Sequence, residues 1–189
     1  MKIIYIILFS LLVGNSDCFS QGFTPPSEGK AKIYFTRVSG AALLVTFDLF
    51  HNDKFIGKIK SSSYVAYECD PGEDILFWAS GESKAFCTAN LKAGEIYIII
   101  VDVKMGMMSA GVDLTPIDSK SKLLKRAKKL VNKLKPQVTS KEVLETTQKR
   151  LEDRGFINDK LKLYETKIKN TPKCKHLSSE MFIPKELVF

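Results

Sequence analysis

The densest concentration of chemically useful side chains in this sequence is cationic. Lys120, Lys122, Lys125, Arg126, Lys128, Lys129, Lys133 and Lys135 put eight positive charges into 16 residues. Such a run suits anionic lipid headgroups, lipopolysaccharide or an acidic glycan, held by attraction that weakens with salt. Lys122, Lys125, Arg126, Lys128, Lys129 and Lys133 are the candidate contact residues. The same pattern also describes a solvated outer face on a helix whose leucines pack elsewhere. Nucleic acid fits poorly, because no aromatic side chains interleave with the lysines to stack on bases.

Catalytic material is sparse. His51 falls in a polar loop, and His176 lies close to Cys174. A thiol with an imidazole elsewhere in the chain is compatible with a cysteine nucleophile, but that test is passed by most chains holding both residues. Gly-x-Ser-x-Gly does not occur, and with only His51 and His176 there is no pair of histidines at helical spacing. The thioethers of Met105-Gly106-Met107-Met108 are soft enough for Cu(I), yet no nearby His or Cys completes a ligand set. Asp48, Asp70 and Glu73 fall on wet faces or turns, where solvated acids are ordinary. Trp78 shares a side of its strand with Leu76, which points to packing rather than a ligand platform. The expectation is a non-catalytic protein without metal or cofactor; the alternative is a small secreted hydrolase with an unidentified nucleophile.

The chain has 189 residues, 44% hydrophobic and 26% charged, enough for one core with an appendage. Its net charge of +8 is unevenly spread. Residues 21 to 113 carry 9 basic and 11 acidic side chains, whereas residues 114 to 189 carry 19 and 9. Two segments with different surfaces are implied.

Met1 and Lys2 precede an apolar run from Ile3 to Val13, then small polar residues up to Gln21. This is the layout of a secretory signal peptide over residues 1–20, cut after Ser20, with Ser16 as the fallback. The run is too short to span a bilayer as a helix, which needs about 20 residues. Asp17 stands before Cys18 where a lipoprotein signal requires a small uncharged residue, so lipidation is the weaker expectation. The predicted location is therefore exported, periplasmic or extracellular.

After a linker over residues 21–29, apolar residues alternate at the strand period. Ile33 and Phe35 oppose Lys32 and Thr36; Leu43, Val45, Phe47 and Leu49 oppose Thr46 and Asp48. His51-Asn52-Asp53-Lys54 supplies turn chemistry before Phe55, Gly57 and Ile59, and Asp70-Pro71-Gly72-Glu73 supplies it again. Ala85, Cys87, Ala89 and Leu91 line one face. Ile96 to Val101, the most apolar stretch after the N-terminus, predicts a central strand covered on both sides. A last strand is expected from Ser109 to Leu114. Seven or eight short strands with no helical period between them predict an antiparallel β-sandwich over residues 30–117.

Cys69 and Cys87 would be about 10 Å apart in a simple meander with one strand between them. That exceeds the roughly 7 Å between Cα atoms that a disulfide tolerates. A Cys69–Cys87 bridge requires the chain to change sheets between them, and buried free thiols are the preferred reading.

The series Lys32-Ile33-Tyr34-Phe35-Thr36-Arg37, Asn52-Asp53-Lys54-Phe55-Ile56-Gly57, Asp70-Pro71-Gly72-Glu73 and Leu91-Lys92-Ala93-Gly94-Glu95-Ile96-Tyr97-Ile98 resembles the bacterial domain of unknown function numbered 2846. The resemblance covers about residues 30–117. It implies a transthyretin-like sandwich in exported envelope proteins or lipoproteins, and brings no activity or site residues with it.

Past Pro116 the period becomes helical. Leu123, Ala127, Leu130 or Val131, and Leu134 form a stripe ending at Pro136. A second helix is predicted to open with Thr139 as N-cap, Glu142 completing a capping box and Val138 stapled to Val143, and to stop at Gly155. A third is expected from Asn158 to about Asn170. The apolar end, Met181 to Phe189, is expected to dock on the sandwich or the helices. Residues 118–189 thus read as a basic helical extension. Its candidate partners are anionic lipid, lipopolysaccharide or an envelope protein, with the oligomeric state left open. An outer-membrane barrel, suggested only by terminal Phe189, is set aside because basic helices cannot lie in a barrel wall.

Overall fold

Alternating apolar side chains build eight consecutive strands: β1 (Ala31–Arg37), β2 (Phe47–His51), β3 (Lys54–Ile59), β4 (Ser63–Cys69), β5 (Gly72–Ser80), β6 (Lys84–Leu91), β7 (Ile96–Met105) and β8 (Ala110–Ile117). Three α-helices follow, α1 (Leu124–Lys133), α2 (Lys141–Asp153) and α3 (Phe156–Leu163), the last continuing into a π-helical turn at Tyr164–Ile168. A ninth strand, β9 (Cys174–Leu177), and a terminal turn of helix, α4 (Lys185–Val188), complete the order. This computed structural model describes residues 22–40, 42–105 and 110–189. The proposed signal peptide and Gly106, Met107 and Met108 lie outside the described residues.

Among the described residues the structure is mostly β, 39% strand against 25% helix, and the strands form two sheets. One has the order β4-β1-β7-β8 and the other β3-β2-β5-β6-β9. Their inner faces share one core, in which Ile33, Phe35, Ile99 and Val101 of the first sheet meet Phe47, Leu49, Phe77 and Cys87 of the second. The turn at Asn52, with φ +52°, and the crossing at Asp70-Pro71 fall where Asx and Pro-Gly chemistry place them.

β7 behaves as its composition predicts. Tyr97, Ile99 and Val101 enter the inter-sheet core, while Ile96, Ile98 and Ile100 enter a second core on the outer face of the same sheet. The sheets are mixed rather than antiparallel: β1 runs parallel to β7, and β6 parallel to β9. A parallel pair needs a long return path, and here the path between β1 and β7 is the intervening strands themselves rather than a helix.

Further differences have local causes. β2 begins at Phe47, not at Leu43, because residues Ala42–Val45 close a turn with the Val45 N–H donating to the Ala42 carbonyl at 3.0 Å. Lys32 and Thr36 are buried rather than wet, since the outer face of β1 is covered by the segment before it and by α1. Phe23 of that segment packs on Tyr34 with ring centroids 4.6 Å apart, so residues 22–29 pack as part of the fold. Ser140, not Thr139, caps α2, its hydroxyl accepting the Val143 N–H, and Val138 and Val143 remain exposed without forming a staple. α3 starts at Phe156, directly after Gly155 in the left-handed region.

The candidate Cys69–Cys87 disulfide is absent, and both thiols are free and buried. The chain does change sheets between them, but β4 flanks the β3 edge of the stack and β6 flanks the β8 edge, so the two cysteines sit at opposite sides of the core. Burial pushes the Cys69 thiol up to about 11 and raises that of Cys87 as well.

Residues 118–189 wrap both sheets. α1 covers the outer face of the β4-β1-β7-β8 sheet. α2, α3 and the π-helical turn cover the other outer face, where Phe50, Phe55, Leu76, Trp78 and Phe86 meet Leu151, Ile157 and Tyr164. The docked tail sends Ile183 and Val188 under α1 and Leu177 into the inter-sheet core.

Candidate anionic-surface interface

α1 owes its place to a narrow apolar stripe. Leu124, Ala127 and Val131 recur at i, i+3 and i+7 and are buried against Tyr34, Ile98, Ile100 and Ile117. Their burial fixes the rotation of the helix, and the rotation decides where the cations go. Lys122, Lys125, Arg126, Lys129 and Lys133 are exposed, and Lys128 is half-buried.

The C-terminal end is pinned to β4. The Tyr64 hydroxyl donates to the Leu134 carbonyl at 3.2 Å, meeting one of the acceptors a helix end leaves open. The Gln137 N–H donates to the Tyr64 carbonyl at 2.7 Å, and the Gln137 side-chain oxygen accepts from the Lys60 N–H and the Ser63 hydroxyl, both at 3.1 Å. Burial pushes the Tyr64 phenol up to about 12, so it stays a donor at any ordinary pH.

Between this end of α1 and the loop after β1 runs a groove of about 420 Å³. Val38, Leu130 and Leu134 give it an apolar floor, while Arg126, Lys129 and Lys133 stand along its rim. Residues 119–140 contain no Asp or Glu. Among the described residues, none of Lys122, Lys125, Arg126, Lys128 and Lys129 takes part in an ion pair. A cationic rim with an apolar floor is suited to amphiphilic anions.

The other residues singled out by chemistry are dispersed. His51 Nδ1 lies 3.0 Å from the Tyr67 hydroxyl, a contact that bridges the two sheets, and burial lowers the pKa of the imidazole. His176 Nδ1 pairs with the Thr88 hydroxyl at 2.9 Å, whereas the neighbouring Cys174 thiol donates to the Lys175 carbonyl at 3.5 Å. Thiol and imidazole are thus engaged separately. Asp48 pairs with Lys58 at 2.8 Å and Asp70 with Lys30 at 2.7 Å. A polar cleft of about 440 Å³ beside the Asp48–Lys58 pair also holds Arg154 and Asp159, without a histidine or cysteine. Among the described residues no cluster of three or more His, Cys, Asp or Glu side chains is placed to hold a metal ion.

Trp78 is fully buried beside Leu76, as the strand pattern predicts, but under α2 and α3 rather than between the sheets. It stacks on Phe50 with centroids 3.7 Å apart and donates from Nε1 to the Asn52 carbonyl at 2.7 Å. The groove itself was missed at the sequence level. Its signal was the Leu130/Leu134 pair, one turn apart beside the buried stripe, with Lys129 and Lys133 in step.

No family model, curated protein or solved structure matches the chain.

Proposed function

We propose that the chain is an exported, non-catalytic protein of the bacterial cell envelope, with a β-sandwich body that presents the cationic face of α1 to an anionic lipid surface. The observation that carries the reading is the division of labour on α1. Its leucine–alanine–valine stripe is consumed by packing, while Lys122, Lys125, Arg126 and Lys129 face solvent with no acidic partner among the described residues. Repulsion within such a row is a standing cost, of a few tenths of a kcal/mol per like-charged i, i+4 pair. A negatively charged surface removes that cost and adds about 1 kcal/mol per cation.

The body is read as a transthyretin-like sandwich. The facing orders β4-β1-β7-β8 and β3-β2-β5-β6, with β1 and β7 parallel, support this reading. Export rests on the arrangement of the first 20 residues.

The test is charge reversal at Lys122, Lys125 and Lys129, all exposed and outside the buried stripe. Co-sedimentation of protein from Gln21 onward with phosphatidylglycerol vesicles at low salt should show binding by the chain with α1 unaltered. Binding should fall at least about 100-fold in the K122E/K125E/K129E variant, since three cations contribute about 3 kcal/mol before any repulsion is added. Equal binding by the two proteins would remove α1 from the interface.

A further inference from the structure

One end of the molecule displays leucine at a cost in stability. Leu44 is 98% exposed and Leu43 71%, the two most exposed large apolar side chains among the described residues. They are the central pair of the Ala42–Val45 turn. A loose loop would need no support, but this turn is held. Arg37, fully buried at the end of β1, sends its guanidinium into the turn and donates to the carbonyls of Ala42 and Val45 while lying 4.8 Å over the Phe47 ring. Ala42 sits at φ +51°, in the left-handed region that L residues avoid. A buried cation and a strained alanine thus fix two leucines in water.

The α1 side of the turn is cationic. The loop that leads to it supplies Val38 to the groove floor and is tied to the β3–β4 turn by the Ser61 hydroxyl donating to the Ser39 carbonyl at 3.4 Å. The β3–β4 turn is in turn bonded to Gln137, which places exposed Val138 at the same end. Arg126, Lys129 and Lys133 stand along the groove beside Val38, and Lys60 lies in the β3–β4 turn, whereas on the other side Asp48 is ion-paired with Lys58 and Asp102 acts on the Arg37 guanidinium. Exposed apolar tips beside a row of cations match the layered chemistry of an anionic bilayer, phosphate level outside and acyl chains beneath.

We propose that the Leu43–Leu44 turn is a membrane wedge, which inserts below the headgroups of an anionic phospholipid bilayer while Arg126, Lys129 and Lys133 hold the phosphates at the groove. This rests on the anionic-surface reading of α1 and adds to it an apolar, salt-resistant component. No bond is made or broken; the ligand is the bilayer itself.

Two variants separate the wedge from the charge. Leu43→Ser with Leu44→Ser alters only exposed positions, and circular dichroism checks that the fold is kept. Leu44→Trp places an indole at the tip, against a background from the single buried Trp78. With vesicles of equal parts phosphatidylglycerol and phosphatidylcholine, the serine variant should bind about tenfold to a hundredfold more weakly at about 0.15 M salt, the loss expected when two partly inserted leucines are removed. Emission from the indole introduced by Leu44→Trp should shift to the blue on binding and be quenched by lipids brominated along the acyl chain. Salt-sensitive binding that is unchanged in the serine variant, with the introduced indole still at its aqueous emission, would overturn the wedge and leave the charged face standing. Emission that shifts only with a protein partner and not with vesicles would also overturn it. Absence of any vesicle binding at low salt would remove both.

Discussion

Replacing Ile183 by alanine should destabilise the whole sandwich, although Ile183 belongs to the terminal tail. Its side chain is fully buried among Tyr34, Ile96, Ile98 and Val188, beneath α1. Its N–H donates to the Ile96 carbonyl at 2.8 Å, and alanine keeps that bond, so the substitution removes packing alone. Three carbons at about 0.8 kcal/mol each give about 2.4 kcal/mol of lost transfer energy. A cavity term brings the cost to about 3–4 kcal/mol. Against a typical total of about 5–15 kcal/mol this is a large share. Urea unfolding should show a midpoint lowered by about 1.5–2 M at constant slope, and thermal unfolding a Tm lower by about 6–16 °C. Leu187→Ala, at a half-exposed position in the same tail, should cost under about 1 kcal/mol. A loss below about 0.5 kcal/mol for Ile183→Ala would mean that the tail does not seal the α1 face, and the reasoning that makes the extension part of the core would fail.

Burial holds the phenols of Tyr64, Tyr67 and Tyr164 at about 12, above the ordinary value of 10, so the folded state keeps protons that the unfolded state releases. Their contribution to stability is complete below about pH 10 and is lost as pH rises toward about 12, and the tyrosinate absorbance of these three should therefore appear together with unfolding rather than before it. In protein expressed from Gln21 onward, Cys69 and Cys87 should resist alkylation until denaturant is added, leaving at most the half-buried Cys174 to react in the folded state. Ser140→Ala removes the oxygen that accepts the Val143 N–H and should cost about 1 kcal/mol by urea titration, whereas Thr139→Ala should leave the α2 cap intact.

The inner layer of the fold could be read from the sequence because it obeys a single period. Ala85, Cys87, Ala89 and Leu91 alternate and do line the inter-sheet core, and the unbroken Ile96–Val101 run does serve two cores. The outer layers were harder. Phe50, Trp78 and Phe86 project away from the inter-sheet core, and alternation alone assigns that side to water; aromatic residues on it were the available sign of a cover. β9 has the sequence Cys-Lys-His-Leu, and with Lys175 and His176 exposed only its hydrogen bonding to β6 makes it a strand. Leu43 continued the apolar alternation into Phe47, and the buried Arg37 that diverts the chain into a turn acts through side-chain bonds to carbonyls five and eight residues on, which an alternation of apolar residues does not reveal. The cationic run was legible, but the stripe that turns it outward was only partly so: Leu123, Ala127, Leu130 or Val131, and Leu134 are the residues the helical period selects, whereas Leu124, Ala127 and Val131 are the ones buried. The groove beside α1 was not legible, since its other wall comes from Val38 and Ser62, far away in the chain.

The most direct measurement is the partitioning of the otherwise unaltered chain from Gln21 onward between buffer and vesicles across a salt series, with phosphatidylglycerol vesicles in one arm and pure phosphatidylcholine in the other. Cations on α1 that meet headgroups predict strong binding to the anionic vesicles at low salt, a steep decline as salt rises, and little binding to the neutral ones. Equal partitioning into both vesicle types, or none into either at low salt, would contradict the role assigned to Lys122, Lys125, Arg126 and Lys129.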